Sequence, residues 1–400
     1  MFHKIASPYK LIITICLVSR IFILALGKVS SMYFQRFDKS TLLSQSSPLF
    51  NFLESWDSVH FIKIALNGYD REHLLPFFPL FPLICRVFRI FDPFTTAVLL
   101  NNILFIFSSL ILYKLSLQFF NKKIAFLSTL YFIINPASIV FSSMYSESLF
   151  TFLFFLSIWF TIQKKYIFSS ILLSLTALCR SNGVIFIIFL KTIQFPIILL
   201  PISLFQLYSL GLIWKSSCSV RLFVPYSYIQ KKYWQQGFLS FFTINNIPNI
   251  LIGLPVILLS IFFVFSFYSS LIKNFINKQK TADKTSKRSW LKILMNIEAV
   301  EKNNMKLFWI SLISDPFMCE NGHISEKLIL LLIFQILITI FFIHWNIFMR
   351  FISFNPIIYW IAAHLTMIHF GSKIFNAIFT FFLIYGILYV VTFSCFYPPA

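Results

Sequence analysis

ILIGLPVILLSIFFVFSFYSSLI, residues Ile250–Ile272, carries no charged side chain. As a helix rising about 1.5 Å per residue it is long enough to cross ~30 Å of hydrocarbon. The chain then turns basic: Lys273–Lys306 includes Lys278, Lys280, Lys284, Lys287 and Arg288 against three acids. Basic connections stay in the cytoplasm under the positive-inside rule, so this boundary sets both a span and its direction.

Working outward, further apolar runs predict spans near 9–27, 96–119, 124–142, 148–162, 166–190, 194–213, 327–348, 356–370 and 372–393. With 58% hydrophobic and 12% charged residues, the chain is expected to be an all-α polytopic membrane protein. One integral membrane domain over 1–400, with roughly 8–11 transmembrane helices, accounts for the pattern. The first run, Leu11–Gly27, contains Arg20 and is too long for a typical signal-peptide core, which favours an uncleaved span.

Two connections are long: 28–95, and 214–249, rich in Tyr, Trp, Gln and Asn. Counting back from the basic loop puts 214–249 on the luminal side, and counting forward from a cytoplasmic N-terminus puts 28–95 there too. Ten full spans break this parity. Segment 166–213 therefore has to hold either one span and a re-entrant piece or three short passes, with a kink near Arg180–Gly183.

The formal charge of +20 does not indicate nucleic acid, because the basic residues are scattered among the spans. The six cysteines are widely spaced, with no CxxC and no Cys/His ligand spacing, so they read as small apolar residues. The 54 Phe accompany abundant Ile, Lys and Asn, a compositional bias from which no function follows. No internal or inverted repeat of the kind common in transporters is visible.

Chemistry concentrates in ESWDSVHFIKIALNGYDREHLLPFFPLFP, Glu54–Pro82, which gathers four of the 13 acidic residues and two histidines. Asp57 opens an amphipathic pattern consistent with a helix on the membrane surface, and His60 follows at i+3 on the same expected face. A carboxylate there is partly desolvated and suited to take a proton from a hydroxyl, although an Asp at this point also caps helices. Glu72 and His73 fall in a loop before the proline-punctuated FFPLFP run.

Glu147 stands at a span boundary within NPASIVFSSMYSES, Asn135–Ser148, and an ionisable group at that depth is a functional candidate. Arg20 and Arg180 lie among apolar stretches, where a guanidinium needs a carboxylate or a phosphate. The aromatic and amide side chains of Pro225–Asn249 suit stacking on, and hydrogen bonding to, sugar hydroxyls. Interfacial anchoring explains the rings equally well, but less easily the Asn and Gln.

Taken together, WDSVHF, GYDREH, FFPLFP, NPASIVFSSMYSESLF, RSNG, YSYIQKKYWQQGFL with NNIPN, and NPIIYWIAAH resemble the GPI mannosyltransferase 2 family, in family order from Trp56 to His364. The resemblance implies a GT-C glycosyltransferase of the endoplasmic reticulum membrane with its site facing the lumen. It implies transfer of the second, α-1,6-linked mannose from dolichyl phosphate mannose to mannosyl-glucosaminyl-phosphatidylinositol, with inversion.

Asp57 is then the expected general base, with Arg180 and Arg350 as partners of the leaving phosphate and Arg20 as a weaker third. His60, Glu72, His73, Glu147, Asn182, Tyr228, Trp234, Asn245 and Asn246 match family motif positions and are expected to bind substrate. No DxD motif is present, so no obligatory metal is expected, and a small membrane accessory subunit is compatible with the resemblance. Two other readings are a GT-C enzyme with a different acceptor and a lipid or solute transporter, the latter leaving the luminal motifs unexplained.

Overall fold

The computed structural model describes residues 7–38, 49–88, 91–190, 192–216, 224–282 and 322–398. Among these there is no β-strand. The helices are α1 (Pro8–Tyr33), α2 (Asp57–Asn67), α3 (Leu80–Val87), α4 (Pro93–Ser116), α5 (Lys122–Ile133), α6 (Glu147–Ile162) and α7 (Tyr166–Cys179). They continue with α8 (Phe195–Ser216), α9 (Pro225–Trp234), α10 (Ile247–Ala282), α11 (Gly322–Phe342), α12 (Phe348–Ile352), α13 (Pro356–Ile368) and α14 (Lys373–Ser394).

Among the described residues six helices are long and apolar enough to cross a membrane, or seven if the bent pair Trp345–Ile352 and Pro356–Ile368 counts as one span; α6 and α7 are shorter apolar helices. The expected all-α polytopic architecture is what the chain adopts. The basic loop Lys273–Lys306 lies, from residue 283 onward, outside the described residues.

Two expected spans end early, each for a local reason. The span expected at 124–142 stops at Ile133, because Asn135 precedes Pro136 and a residue before proline is pushed out of the α region. The chain from Asn135 to Ser146 is irregular yet buried, so its backbone needs internal partners. Asn101 Nδ2 donates to the carbonyls of Ser143 (2.5 Å) and Tyr145 (2.8 Å), Ser148 Oγ to that of Phe141 (2.8 Å), and Arg20 to that of Ser138 (2.8 Å). Arg20 is thus occupied holding this segment, with its guanidinium over the Phe105 ring, which removes it from the leaving-phosphate candidates.

The run expected at 166–190 breaks at Arg180, whose backbone is extended (φ −155°, ψ 146°), and continues as the 3-10 segment Ser181–Phe189. Phe186 packs on Phe150 and Phe154, and Phe189 on Phe154, so this segment travels back along α6, away from the Arg180 end. Gly183 permits the reversal, since a Cβ there would lie 2.5 Å from Ala177 Cα. α8 follows as a long apolar helix, and the described parts of 28–95 and 214–249 meet where Lys232 pairs with Glu72. A further break, just before the expected start of the 356–370 span, is the 84° bend between Trp345–Ile352 and Pro356–Ile368. Asn355 caps α13 by accepting from the Ile357 amide, and Pro356 occupies the first turn.

Candidate active site

A cavity of about 850 Å³ opens where the two long connections meet Ser146 ahead of α6, the Cys179–Ile185 turn, α8, α11 and α12. Its lining includes Trp56, Asp57, Ser146, Arg180, Asn182, Trp234, Asn346 and Arg350. The sequence between them is unremarkable in length; the breaks at Arg180 and Asn355 are what bring these side chains to one place.

Asp57 is the first residue of α2, and the residue before it holds an unusual backbone. Trp56 has φ 55° and ψ −124°, a region a bulky side chain rarely occupies without local support. That support comes from Tyr145: its hydroxyl accepts from the Asp57 amide (3.0 Å) and donates to the Ser55 carbonyl (3.3 Å), while the Trp56 ring stacks on Phe396 (5.0 Å). Ser143 Oγ donates to the Leu53 carbonyl (2.6 Å), fixing the same turn from the other end.

Four of the residues expected from the sequence form one network. Arg350 Nη1 lies 2.8 Å from Asp57 Oδ2, and its Nε lies 3.3 Å from Glu147 Oε1. Glu147 also pairs with Arg180. Two carboxylates and two guanidiniums balance in charge, as burial at this depth demands. The side chains differ in access: Arg350 is 8% and Glu147 4% exposed, against 20% for Arg180 and 31% for Asp57. Asp57 and Arg180 are therefore the two members of the network open to a ligand, and the other Asp57 oxygen has no partner among the described residues.

Asn182 and Trp234 also line the cavity. The remaining expected residues do not. His60, though only three positions from Asp57, stacks on Phe77 (4.6 Å) and stands edge-on to His73 (5.5 Å). Burial pushes its imidazole down to about 4, with Asp57 opposing that shift and His73 and Lys63 adding to it. It is neutral near pH 7 and offers no cation to a phosphate. Burial lowers His73 as well, helped by Lys63 and Arg71.

Glu72 accepts from Lys232 Nζ (2.8 Å) and Tyr233 Oη (3.4 Å), tying the first connection to α9, and the hydrogen bond raises Lys232. Tyr228 is exposed beneath Lys232, 5.5 Å from its ring centre. Asn245 and Asn246 sit on the 3-10 turn Ile244–Asn246, outside the cavity, with Asn246 donating to Thr243. Because Glu72 lies in a solvent-facing ion pair worth little, Glu72→Gln is expected to retain transfer activity within about threefold of wild type in a microsomal rate assay. A hundredfold loss would bring Glu72 back into the chemistry.

Sequence reasoning missed Tyr145 and Asn346. The visible signal for Asn346 is its position four residues before Arg350, one turn away on a helical path. Among the described residues no group of three or more His, Cys, Asp or Glu side chains converges as a metal site would.

The sequence profile of the mannosyltransferase (PIG-V) family matches residues 12–215 and 194–400. A Yarrowia lipolytica protein named GPI mannosyltransferase 2 is 30% identical over 55% of this chain and 68% of its own length. A Drosophila pseudoobscura protein of the same name is 25% identical over 86% of both chains. The mouse GPI alpha-1,6-mannosyltransferase 2 is 24% identical over 78% of this chain and 73% of its own. No solved structure matches. With its profile match running nearly end to end, including every member of the Asp57–Arg350–Glu147–Arg180 network, the chain belongs to the mannosyltransferase (PIG-V) family of membrane glycosyltransferases.

Proposed function

We propose that this chain transfers the second mannose of the GPI precursor, in α-1,6 linkage, from dolichyl phosphate mannose to mannosyl-glucosaminyl-phosphatidylinositol at the luminal face of the endoplasmic reticulum membrane. The observation that carries this reading is Asp57: a carboxylate with one oxygen held by Arg350 and the other without a partner among the described residues, at a cavity where polar and apolar walls meet. The names of the relatives support the reaction.

In the proposed step the acceptor's 6-hydroxyl gives its proton to Asp57 as its oxygen bonds to mannose C1. The C1–O bond to phosphate breaks on the opposite face, and its electron pair leaves on dolichyl phosphate. Attack opposite the leaving group inverts C1, turning a β-linked donor into an α-linked product. The leaving phosphate needs positive charge on the face away from the base. Arg180 suits this role better than Arg350, which is committed to Asp57 and Glu147.

The opposite wall of the cavity is apolar, with Val184, Ile185, Ile202, Phe334, Ile338 and Phe342 from the 3-10 segment, α8 and α11. A polyprenyl chain can lie against such a wall while its phosphate and sugar reach the charged end. A single lipid phosphate brings no diphosphate that calls for a divalent cation, so we include no obligatory metal.

The test uses microsomes from cells lacking their own second mannosyltransferase, supplied with this chain and Man-GlcN-PI. Conversion to Man2-GlcN-PI that depends on dolichyl phosphate mannose is expected. Absence of conversion with the protein present in the membrane counts against the reading as a self-sufficient enzyme, and restoration by a small membrane partner would limit it to a complex.

A further inference from the structure

Five asparagines among the described residues are buried: Asn101, Asn135, Asn182, Asn346 and Asn355. Three are spent on the backbone, Asn101 on the carbonyls of Ser143 and Tyr145, Asn135 on the Ala137 amide, and Asn355 on the Leu328 carbonyl and Ile357 amide. The other two line the cavity. Asn182, 9% exposed, has neither Nδ2 nor Oδ1 partnered, and Asn346, 8% exposed, has Oδ1 unpartnered among the described residues. Ser146, 1% exposed, also lines the cavity, with its Oγ unpartnered among the described residues.

A buried polar group without a partner is costly, and native proteins keep few of them. Trp56 Nε1 is a further buried, unpartnered group on this lining, and the three amide and hydroxyl side chains, each beside the charged network, call for a common explanation. Ser146 directly precedes Glu147, Asn182 follows Arg180 by two residues, and Asn346 precedes Arg350 by four. All are uncharged, and each amide offers both donors and an acceptor, the set that matches a pair of neighbouring hydroxyls.

We propose that Asn182, Asn346 and Ser146 form a hydroxyl-recognition subsite that seats a mannopyranosyl ring beside Asp57. The subsite rests on the mannosyl-transfer reading above and deepens it by naming which groups bind sugar. Two mannosyl rings have this chemistry, one on the lipid-phosphate donor and one on the glycolipid acceptor. The ring replaces missing hydrogen bonds instead of competing with existing ones, so its recognition does not require the fold to open.

The experiment uses the purified full-length chain and two ligand pairs that differ by mannose: dolichyl phosphate against dolichyl phosphate mannose, and GlcN-PI against Man-GlcN-PI. In the wild type the mannosylated member of one pair is expected to raise Tm further than its partner, since a ligand bound only by the native state stabilises it. Asn182→Ala with Asn346→Ala is expected to erase that increment, and each single change to lower kcat/KM roughly tenfold.

The pair whose increment disappears identifies the ring as the donor's or the acceptor's. Because both polar atoms of Asn182 and Oδ1 of Asn346 have no hydrogen-bond partner among the described residues, Tm without ligand is expected to stay level. An increment that survives the double substitution overturns the proposal. So does a fall in unliganded Tm, in the double variant and in Asn346→Ser alike, that accounts for the lost activity, since that marks a structural role. Wild-type protein with a mannose increment but no transfer would instead fault the reaction reading and leave the subsite standing.

Discussion

Asp57→Asn is expected to lower the rate of mannose transfer by a factor of roughly 10² to 10⁴ while leaving the amount of protein in the membrane close to wild type. The range is what a positioned general base contributes. Asparagine keeps the size of the side chain and can still hydrogen bond to Arg350, but it cannot take a proton from the acceptor hydroxyl. Arg350 also retains Glu147 at 3.3 Å, so the substitution leaves no guanidinium wholly unpaired.

The Asp57 amide, not its side chain, bonds to Tyr145, which preserves the strained Trp56 turn. Initial rates from dolichyl phosphate mannose in microsomes, normalised to protein, give the measurement. A variant within tenfold of wild type would remove Asp57 as the base. Glu147 is the next carboxylate at the cavity edge, but it is almost fully buried between two arginines, a poor position from which to meet a hydroxyl.

The residues that turned out to share the site were legible in the sequence because each is a charged or amide group in an otherwise apolar setting. Asp57, Glu147, Arg180, Asn182 and Arg350 all announce themselves in this way. Their pairing was not legible, because it depends on a chain reversal at Arg180 and an 84° bend at Ser353–Asn355, whose directions no local pattern specifies. His60 illustrates the limit of helical spacing. Three residues on from Asp57 places it nearby, yet Asp57 stands at the first turn facing Arg350, while His60 faces the aromatic ring of Phe77.

Glu72, Tyr228, Asn245 and Asn246 were attractive for their chemistry, but Glu72 is spent on Lys232 and the other three lie outside the cavity, Tyr228 and Asn245 exposed. Tyr145 shows the converse. A tyrosine in an apolar run reads as packing, and only the fold reveals that its hydroxyl bridges Ser55 and Asp57. The length of the spans was overestimated at 124–142 and 166–190 for a related reason: apolar composition continues past the point where Pro136 or the Glu147–Arg180 pair ends the helix.

Arg350→Met is expected to produce the largest loss of stability of any single substitution in the site, about 3–5 kcal/mol, the cost of removing one partner from a buried ionic pair. Arg350 touches both carboxylates, so its removal leaves Asp57 without a cation and Glu147 with Arg180 alone. The expected readout is a fall in Tm of the detergent-solubilised chain together with loss of transfer. Arg180→Met is expected to cost less stability, since Arg180 is more exposed and Glu147 keeps Arg350, yet to cost as much activity if it carries the leaving phosphate.

The network predicts non-additivity as well. Adding Asp57→Asn to Arg350→Met removes the carboxylate that the first change left without its cation, so the double variant should regain part of the lost Tm without regaining transfer. An Arg350→Met protein with wild-type Tm would mean that solvent reaches the two carboxylates freely. In that case the network could not be what holds Asp57 in place, and the separation of roles between Arg350 as positioner and Arg180 as phosphate partner would fail with it.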